Sequence, residues 1–524
     1  MRLPKRILVG NPMRSNQMHE TLLPKRLALP VYCSDPISSN AYATQEILLV
    51  LALGGAASVL LTPWVALAVI ALLALVTLSY RQTCHAYPDG GGAYAVSKDN
   101  LGRSASLIAA AALLVDYVMT VAVSIAASVE NLVSAFPELH AYTVPLCLAF
   151  ILVLTVMNLR GVRESGTLFA IPTYGFILSV FVMLGAGFWQ MLNGNPPVAE
   201  SAGLGFVGVP PTGAAMIILL LRAFASGCTS LTGVEAVSNG VPTFREPKSR
   251  NASTTLLSMA ALSILMMAGI SFLSTWSGIH IADSLESLTN VPEGYVQRTV
   301  LAQLSAAVFG NNTLGFFVVQ GFTTLILALA ANTAFNGFPI LASILAEDRF
   351  LPKQLGRRGD RLVYSNGILI LASSAAALII VFNGSVTKLI QLYILGVFVS
   401  FTLSQTGMVL YWRRQADRAW TPAQLGSAAI NAVGAVATAV VLVIVLTTKF
   451  THGAYLVVIA MPVIVWVMLR INRHYRRVSR QLQPHAAGIT LPSRIHAVVL
   501  ISQLNEPSLK ALAFARAIRP STVT

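Results

Sequence analysis

The chain has 524 residues, 55% of them apolar and 10% charged, with a formal net charge of +15 and a mean hydropathy of +0.70. A soluble chain of this length needs far more charge to cover its surface, so the composition excludes an ordinary soluble enzyme or binding module. The excess of positive charge would point to nucleic acid if it lay on one surface; its distribution along the chain reads instead as a membrane orientation signal.

The start, "MRLPKRILVGNPMRSNQ", is basic and broken by proline, unlike a cleavable signal peptide. Residues 1–26 read as a cytoplasmic tail. Twelve apolar segments follow, at roughly 27–53, 62–80, 103–129, 142–158, 167–189, 213–240, 252–277, 312–345, 364–383, 386–412, 424–447 and 453–471. Segment 62–80, "TPWVALAVIALLALVTLSY", carries no charge and can cross ~30 Å of hydrocarbon as one helix. A transmembrane barrel would show shorter, alternating segments. The expected fold class is all-α and polytopic, with twelve transmembrane helices in a domain covering 27–472. With both termini in the cytoplasm, 31 of the 35 Lys and Arg fall on the inside. Outside loops keep only Arg298, Lys388 and Lys449, and Arg222 lies within a segment.

The first segment holds "CSDPISSNAY" at its middle and the sixth reads "LLLRAFASGCTSLTGVEAVSNG". Pro36, Ser38 and Ser39 interrupt the one; Gly227, Thr229, Ser230, Thr232 and Gly233 interrupt the other. Five spans separate corresponding positions, an odd number, so two halves of five helices run in opposite senses. Broken helices one and six at matching places in inverted halves mark a midplane binding site, with spans eleven and twelve outside the repeat.

Four acids fall inside apolar segments: Asp35, Glu46, Asp116 and Glu235. Each costs about 2.5–3.5 kcal/mol at a helix centre on insertion scales, so their retention points to function. Oxygen-bearing side chains share their faces. Asp35 and Tyr42 are two helical turns apart, Asp116 adjoins Tyr117 and lies one turn from Thr120, and Thr232 shares a face with Glu235 if the helix continues there. Tyr393, in "LIQLYILGVF", adds a hydroxyl from span ten. Plainer roles exist for each: Asp35 as an N-cap, Asp116 as a structural hydrogen-bond partner, Glu46 reaching water near the outer end, Arg222 snorkelling or pairing with an acid, Tyr393 as packing. A carboxylate at the break of span one repels another carboxylate and attracts a cation. Hard oxygen ligands without a Cys/His cluster suit an alkali cation or an organic amine. Glu235, Glu46 and Asp116 are equally candidates for carrying a coupled proton.

Cys33, Cys84, Cys147 and Cys228 have no metal-ligand spacing, and eight histidines show no HExxH pattern. "GLGFVG" at 203–208 matches GxGxxG only formally, being followed by "VPP" rather than a helix. No enzymatic constellation and no cofactor are expected. Residues 473–524 form a cytoplasmic tail: "RINRHYRRVSRQLQ" leaves the membrane as a basic helix, and "IHAVVLISQLNEPSLKALAFARAI" reads as a buried strand, a turn and an amphipathic helix. One βα unit cannot form a core by itself.

"YPDGGGAYAVSKDNLG" (87–102) and "ILAEDRFLPKQLGRR" (344–358) resemble loops of amino acid–polyamine–organocation carriers. More closely, "SDPISSNAYATQEILLVLALGG", "ASGCTSLTGVEAVSNGVPTFREP" and "LGVFVSFTLSQTGMV" resemble potassium importers related to the KUP family. The resemblance implies a LeuT-like fold, a homodimer in the cytoplasmic membrane, and uptake of potassium coupled to protons. It places potassium coordination on Asp35, Tyr42, Asp116, Tyr117, Thr120, Thr232, Glu235 and, as a looser match, Tyr393. Relatives of this kind continue into a domain that binds cyclic di-AMP and dimerises; the sequence ends within that domain's apparent first βα unit, so the resemblance does not carry over cyclic di-AMP inhibition or dimerisation through that domain to the chain as given. An amino acid or polyamine permease of the same fold is the alternative, and a non-transporting sensor or scaffold a third.

Overall fold

The computed structural model describes residues 22–90, 92–161, 166–207, 210–359, 362–416, 420–450, 453–483, 494–501 and 503–524. The basic, proline-broken start of the chain therefore lies outside the described residues, as do the last residue of "GLGFVG" and much of the stretch between the two tail motifs. Two compact units divide the chain, Met1–Ile471 and Asn472–Thr524.

The first unit is a helical bundle. Its helices are α1 (Lys25–Ser38), α2 (Asn40–Ala52), the short α3 (Gly55–Val59), α4 (Thr62–Ala86), α5 (Ala93–Asn100), α6 (Arg103–Ala135), α7 (Thr143–Leu159), α8 (Gly166–Leu192), α9 (Ala214–Gly227), the one-turn α10 (Ala236–Asn239), α11 (Lys248–Trp276), α12 (Val300–Phe309), α13 (Leu314–Glu347), α14 (Ser365–Val381), α15 (Val386–Gln415), α16 (Pro422–Lys449) and α17 (Ala454–Gln481), the last running into the second unit. Two-residue strands β1 (Gly205–Phe206) and β2 (Leu288–Thr289) pair antiparallel. Among the described residues, ten helical segments are long and apolar enough to cross a membrane. The chain is a multi-pass membrane protein. Of the twelve segments expected, two fall short of that standard: the first, because Ser39 divides it into α1 and α2, and the ninth, α14, because it has 17 residues.

Two helices missed in the sequence stand between spans. α5 lies within the glycine-rich loop 87–102, and α12 precedes α13 with Thr299 capping Ala302 N. Both are too short to produce a spanning hydropathy signal.

Burial sorts the helices. In the apolar windows of α6 and α15, 78% and 72% of residues are buried, against 22% for α17. The outer helices show Leu152, Ile171, Leu314 and other large apolar side chains outward, as lipid-facing surfaces do. α6 packs on α13 and α15, and α9 packs on α2. A Cβ at Gly396 would meet Ala112 O at 3.1 Å, so glycine lets the α15 backbone press against α6. That close approach puts the polar side chains of both helices in the centre of the bundle.

In the second unit, β3 (His496–Ala497) pairs parallel with β4 (Thr522–Val523), and α18 (Glu506–Ala517) links them. The strand expected to be buried is short and exposed: Val498 and Leu500 beyond it are 68% and 94% exposed. The second strand, β4, was not among the expected elements.

Candidate functional site

Span one keeps its helical path. Ser39, between α1 and α2, has φ −60° and ψ −22°, and the bonds Ser39 N to Asp35 O (3.0 Å) and Ala43 N to Ser39 O (3.0 Å) carry the ladder through. The polar residues expected to open the helix satisfy it instead. Beyond Pro36, Ser38 and Ser39 hydroxyls donate to Asp35 O at 3.0 and 2.8 Å, and Asn40 Nδ2 donates to Pro36 O and Ile37 O. Asp35 does not cap α2, whose N-cap is Ser39 with no side-chain cap bond. Its carboxyl is buried, and Oδ1 has no hydrogen-bond partner.

Span six leaves the α-helix. After α9 comes a 3-10 turn, Cys228–Leu231, then Thr232 in extended conformation (ψ 146°) and Gly233 at φ +75°. A Cβ at Gly233 would fall 2.5 Å from Asp35 Oδ2, so bare backbone faces the Asp35 carboxylate. Because the helix does not continue, Thr232 and Glu235 do not share a face, contrary to the expectation from their spacing. Thr232 Oγ1 meets Ser39 Oγ at 3.0 Å, and Ser39 Oγ meets the Tyr42 hydroxyl at 2.9 Å. Thr232 also donates to Thr229 O (2.9 Å). Three hydroxyl hydrogens thus serve four contacts: these three and the one from Ser39 to Asp35 O. The group therefore has oxygen lone pairs to spare.

Glu235 turns toward other helices. Its Oε2 accepts from Ser400 Oγ on α15 (2.9 Å) and from the Tyr80 hydroxyl on α4 (3.4 Å), while Oε1 is buried without a partner. From α6, Thr120 Oγ1 meets the Tyr393 hydroxyl at 2.8 Å, and Tyr117 accepts from Asn239 Nδ2 on α10 at 3.3 Å. Asp116 is buried with Oδ1 unpartnered, within charge-interaction range of both Glu235 and Asp35. So the eight expected residues lie around one junction of α1/α2, unwound span six, α6 and α15, in small hydrogen-bonded groups. They do not form a compact chelate: among the described residues, no three His, Cys, Asp or Glu side chains converge to hold a metal ion. A cavity of about 600 Å³ lies elsewhere, between Tyr87, Asp99, Tyr411 and Arg414.

Ser400 and Tyr80 were missed in the sequence. Ser400 was within reach, two helical turns after Tyr393 on one face of α15; Tyr80, at the end of an uncharged segment, carried no signal. Glu46 does not reach water: it is 1% exposed, with the Thr387 side chain beside its carboxyl. Lys449, expected in an outside loop, is the last residue of α16 and fully buried, its Nζ unpartnered and within charge-interaction range of Glu46. Only Thr447 and Thr448 separate it from an apolar run, so sequence position alone could not separate loop from helix end. Arg222 is half-buried on α9, with Nε unpartnered.

Comparison with known proteins agrees with this architecture. The family described as amino acid permease matches residues 28–469. The potassium transporter KimA of Bacillus subtilis (strain 168) is 42% identical over 479 residues, covering 91% of this chain and 75% of that protein. The crystal structure of the Eremococcus coleocola manganese transporter, in complex with an aromatic bis-isothiourea compound, is similar with a TM-score of 0.46 and 11% identity, covering 87% of this chain and 96% of that one. The chain belongs to the amino acid permease family, and the KimA potassium transporter is among its relatives.

Proposed function

We propose that this protein is a secondary active importer of potassium in the cytoplasmic membrane, coupled to protons, with both ends in the cytoplasm. The observation that carries the reading is the set of three buried carboxylates, Asp35, Asp116 and Glu235, each with one oxygen lacking a partner, around the unwound part of span six. Unpaired buried acids of this kind are stabilised by a cation or by protons. Hydroxyls of Tyr42, Thr120, Thr232 and Tyr393, with Tyr117 at the margin, supply further hard oxygens. The relative's transport of potassium supports the same cation. An amino acid would bring its own carboxylate against Asp35, which disfavours the substrate that the family's title names.

In this reading the architecture is LeuT-like, two inverted repeats of five helices plus two. α1 and α2 together make span one, and α14, at about 25 Å, is a short ninth span that the bilayer accommodates by thinning. Asp35 with Tyr42 and Thr232 holds the ion; Glu235, wired to Ser400 and Tyr80, and Asp116 carry the proton, with Glu46 set apart from both. The test is rubidium flux into liposomes holding the purified protein, with and without a pH gradient, against a panel of amino acids and polyamines. Rubidium uptake accelerated by an acidic outside supports the reading; exchange of a labelled amino acid with no rubidium flux overturns it.

A further inference from the structure

The end of α17 carries a charged face that the proposed transport site does not use. The apolar run of this helix closes at "VWVMLR", and "INRHYRRVSRQ" follows without a break in the helix. Five arginines, Arg470, Arg473, Arg476, Arg477 and Arg480, stand in these last turns, and all are exposed. At about 100° per residue they share an arc of about 120°. Ile471, Tyr475 and Val478, all half-buried, fall on the opposite side. The sequence nearby offers the arginines no acid: none occurs between Asp417 and Glu506. Among the described residues none of the five forms an ion pair, whereas Lys98 pairs with Asp348 at 2.6 Å and Arg414 donates to Asp99 O at 2.8 Å.

Their level relative to the bilayer is set by the same helix. Trp466 is exposed, as an aromatic belt residue at a membrane interface is, and the Arg470 guanidinium lies over its ring, 4.9 Å from the centroid. A rise of ~1.5 Å per residue puts Arg473 about 4.5 Å, Arg476 and Arg477 about 9–10 Å and Arg480 about 15 Å beyond Arg470 along the axis. A headgroup layer is about 5–7 Å deep, and the Debye length at physiological ionic strength is about 8 Å. Four of the arginines therefore lie in the headgroups or within one Debye length of them, with Arg480 at the edge. An orientation signal needs positive charge near the end of a span but no particular face. Guanidiniums gathered on one face, without acids, match phosphate. We infer that this face of α17 binds the anionic phospholipid headgroups of the bilayer that the chain spans. Headgroups gathered there neutralise the face and hold the last span at a fixed depth. Nucleic acid presents phosphate too, but the stripe begins at the edge of the hydrocarbon, where lipid phosphate lies. The inference needs only that α17 crosses the membrane, so it stands or falls apart from the cation reading.

The four native cysteines are buried, so a fluorophore on His474→Cys labels the edge of the stripe alone. The labelled full chain is placed in phosphatidylcholine liposomes with a small share of phosphatidylglycerol or phosphatidylcholine carrying a nitroxide near the top of an acyl chain. At low salt the phosphatidylglycerol probe quenches about fivefold more than the phosphatidylcholine probe, the enrichment that one arginine at an anionic surface gives. Arg473→Gln, Arg476→Gln, Arg477→Gln and Arg480→Gln together bring that ratio below about twofold, and so does about 1 M salt, where the Debye length is about 3 Å. Lysine at the same four positions keeps the ratio, because the surface reads charge. If the glutamine set alters insertion of the last span, the lysine set and the salt series decide. No preference for phosphatidylglycerol in the unsubstituted stripe, or a preference that survives both the glutamine set and salt, overturns the inference and leaves an orientation signal. A single-stranded RNA probe that binds the detergent-solubilised protein and is not displaced by phosphatidylglycerol vesicles assigns the face to nucleic acid and overturns it equally.

Discussion

Spans one and six carry matching polar interruptions, yet only one of them unwinds. In span one, Ser38, Ser39 and Asn40 bond carbonyls one turn back, the Ser39 N–H keeps its bond to Asp35 O, and the path stays helical. In span six, Thr232 goes extended and Gly233 enters the left-handed region, so the backbone leaves the helix. Polar residues in a membrane helix therefore do not by themselves mean a break. Hydroxyls of both spans reach the carbonyl three or four residues behind; what differs is that span six includes a glycine placed where only glycine fits. The two spans meet because one stays regular and offers a carboxylate, while the other opens and offers bare backbone.

That contrast can be tested from either side. The largest effect is expected from the carboxylate: Asp35→Asn lowers rubidium uptake about a hundredfold, the scale of removing one partner of a buried charge pair, while expression and detergent monodispersity stay as in the wild type. Uptake within twofold of wild type would remove Asp35 from the site. On the opposite side, Gly233→Ala forces a side chain against Asp35 and into a conformation costing about 1–2 kcal/mol on its own. Both a lower melting temperature and a loss of uptake are expected, whereas Gly227→Ala, within regular helix, meets only Ile47 and Val69 side chains and is milder. For Glu235→Gln, uptake persists at a reduced rate but no longer responds to an imposed pH gradient; a retained response assigns the proton elsewhere. Tyr393→Phe removes one hydrogen bond to Thr120, worth about 1 kcal/mol, and raises KM a fewfold with little change in stability. Smallest is Ser38→Ala: Ser39 still donates to Asp35 O, so uptake and melting temperature stay near wild type.

Much of the architecture could be read from the sequence because hydrocarbon allows so few solutions. The boundaries of α11, α13, α15 and α16 fall within four residues of the apolar segments, while α4 and α6 start as expected and run six residues further. The acids, too, were legible from their cost in lipid. Geometry at the junction was not. Three-residue spacing put Thr232 and Glu235 on one face, but φ +75° at Gly233 turns them to different partners, Ser39 and Ser400. Lys449 shows the same limit at a helix end, where one residue's shift separates a lipid-water interface from the interior. Ser400 and Tyr80 join Glu235 through contacts between residues 165 and 155 positions apart, which periodicity within one segment cannot report.

The most direct test of the central claim is anomalous diffraction from crystals grown in a rubidium salt. The account predicts a rubidium peak beside Asp35, within coordinating reach of Tyr42 and Thr232 oxygens, lost in Asp35→Asn crystals grown the same way. A junction without a rubidium peak, or a peak that survives the substitution, would contradict it.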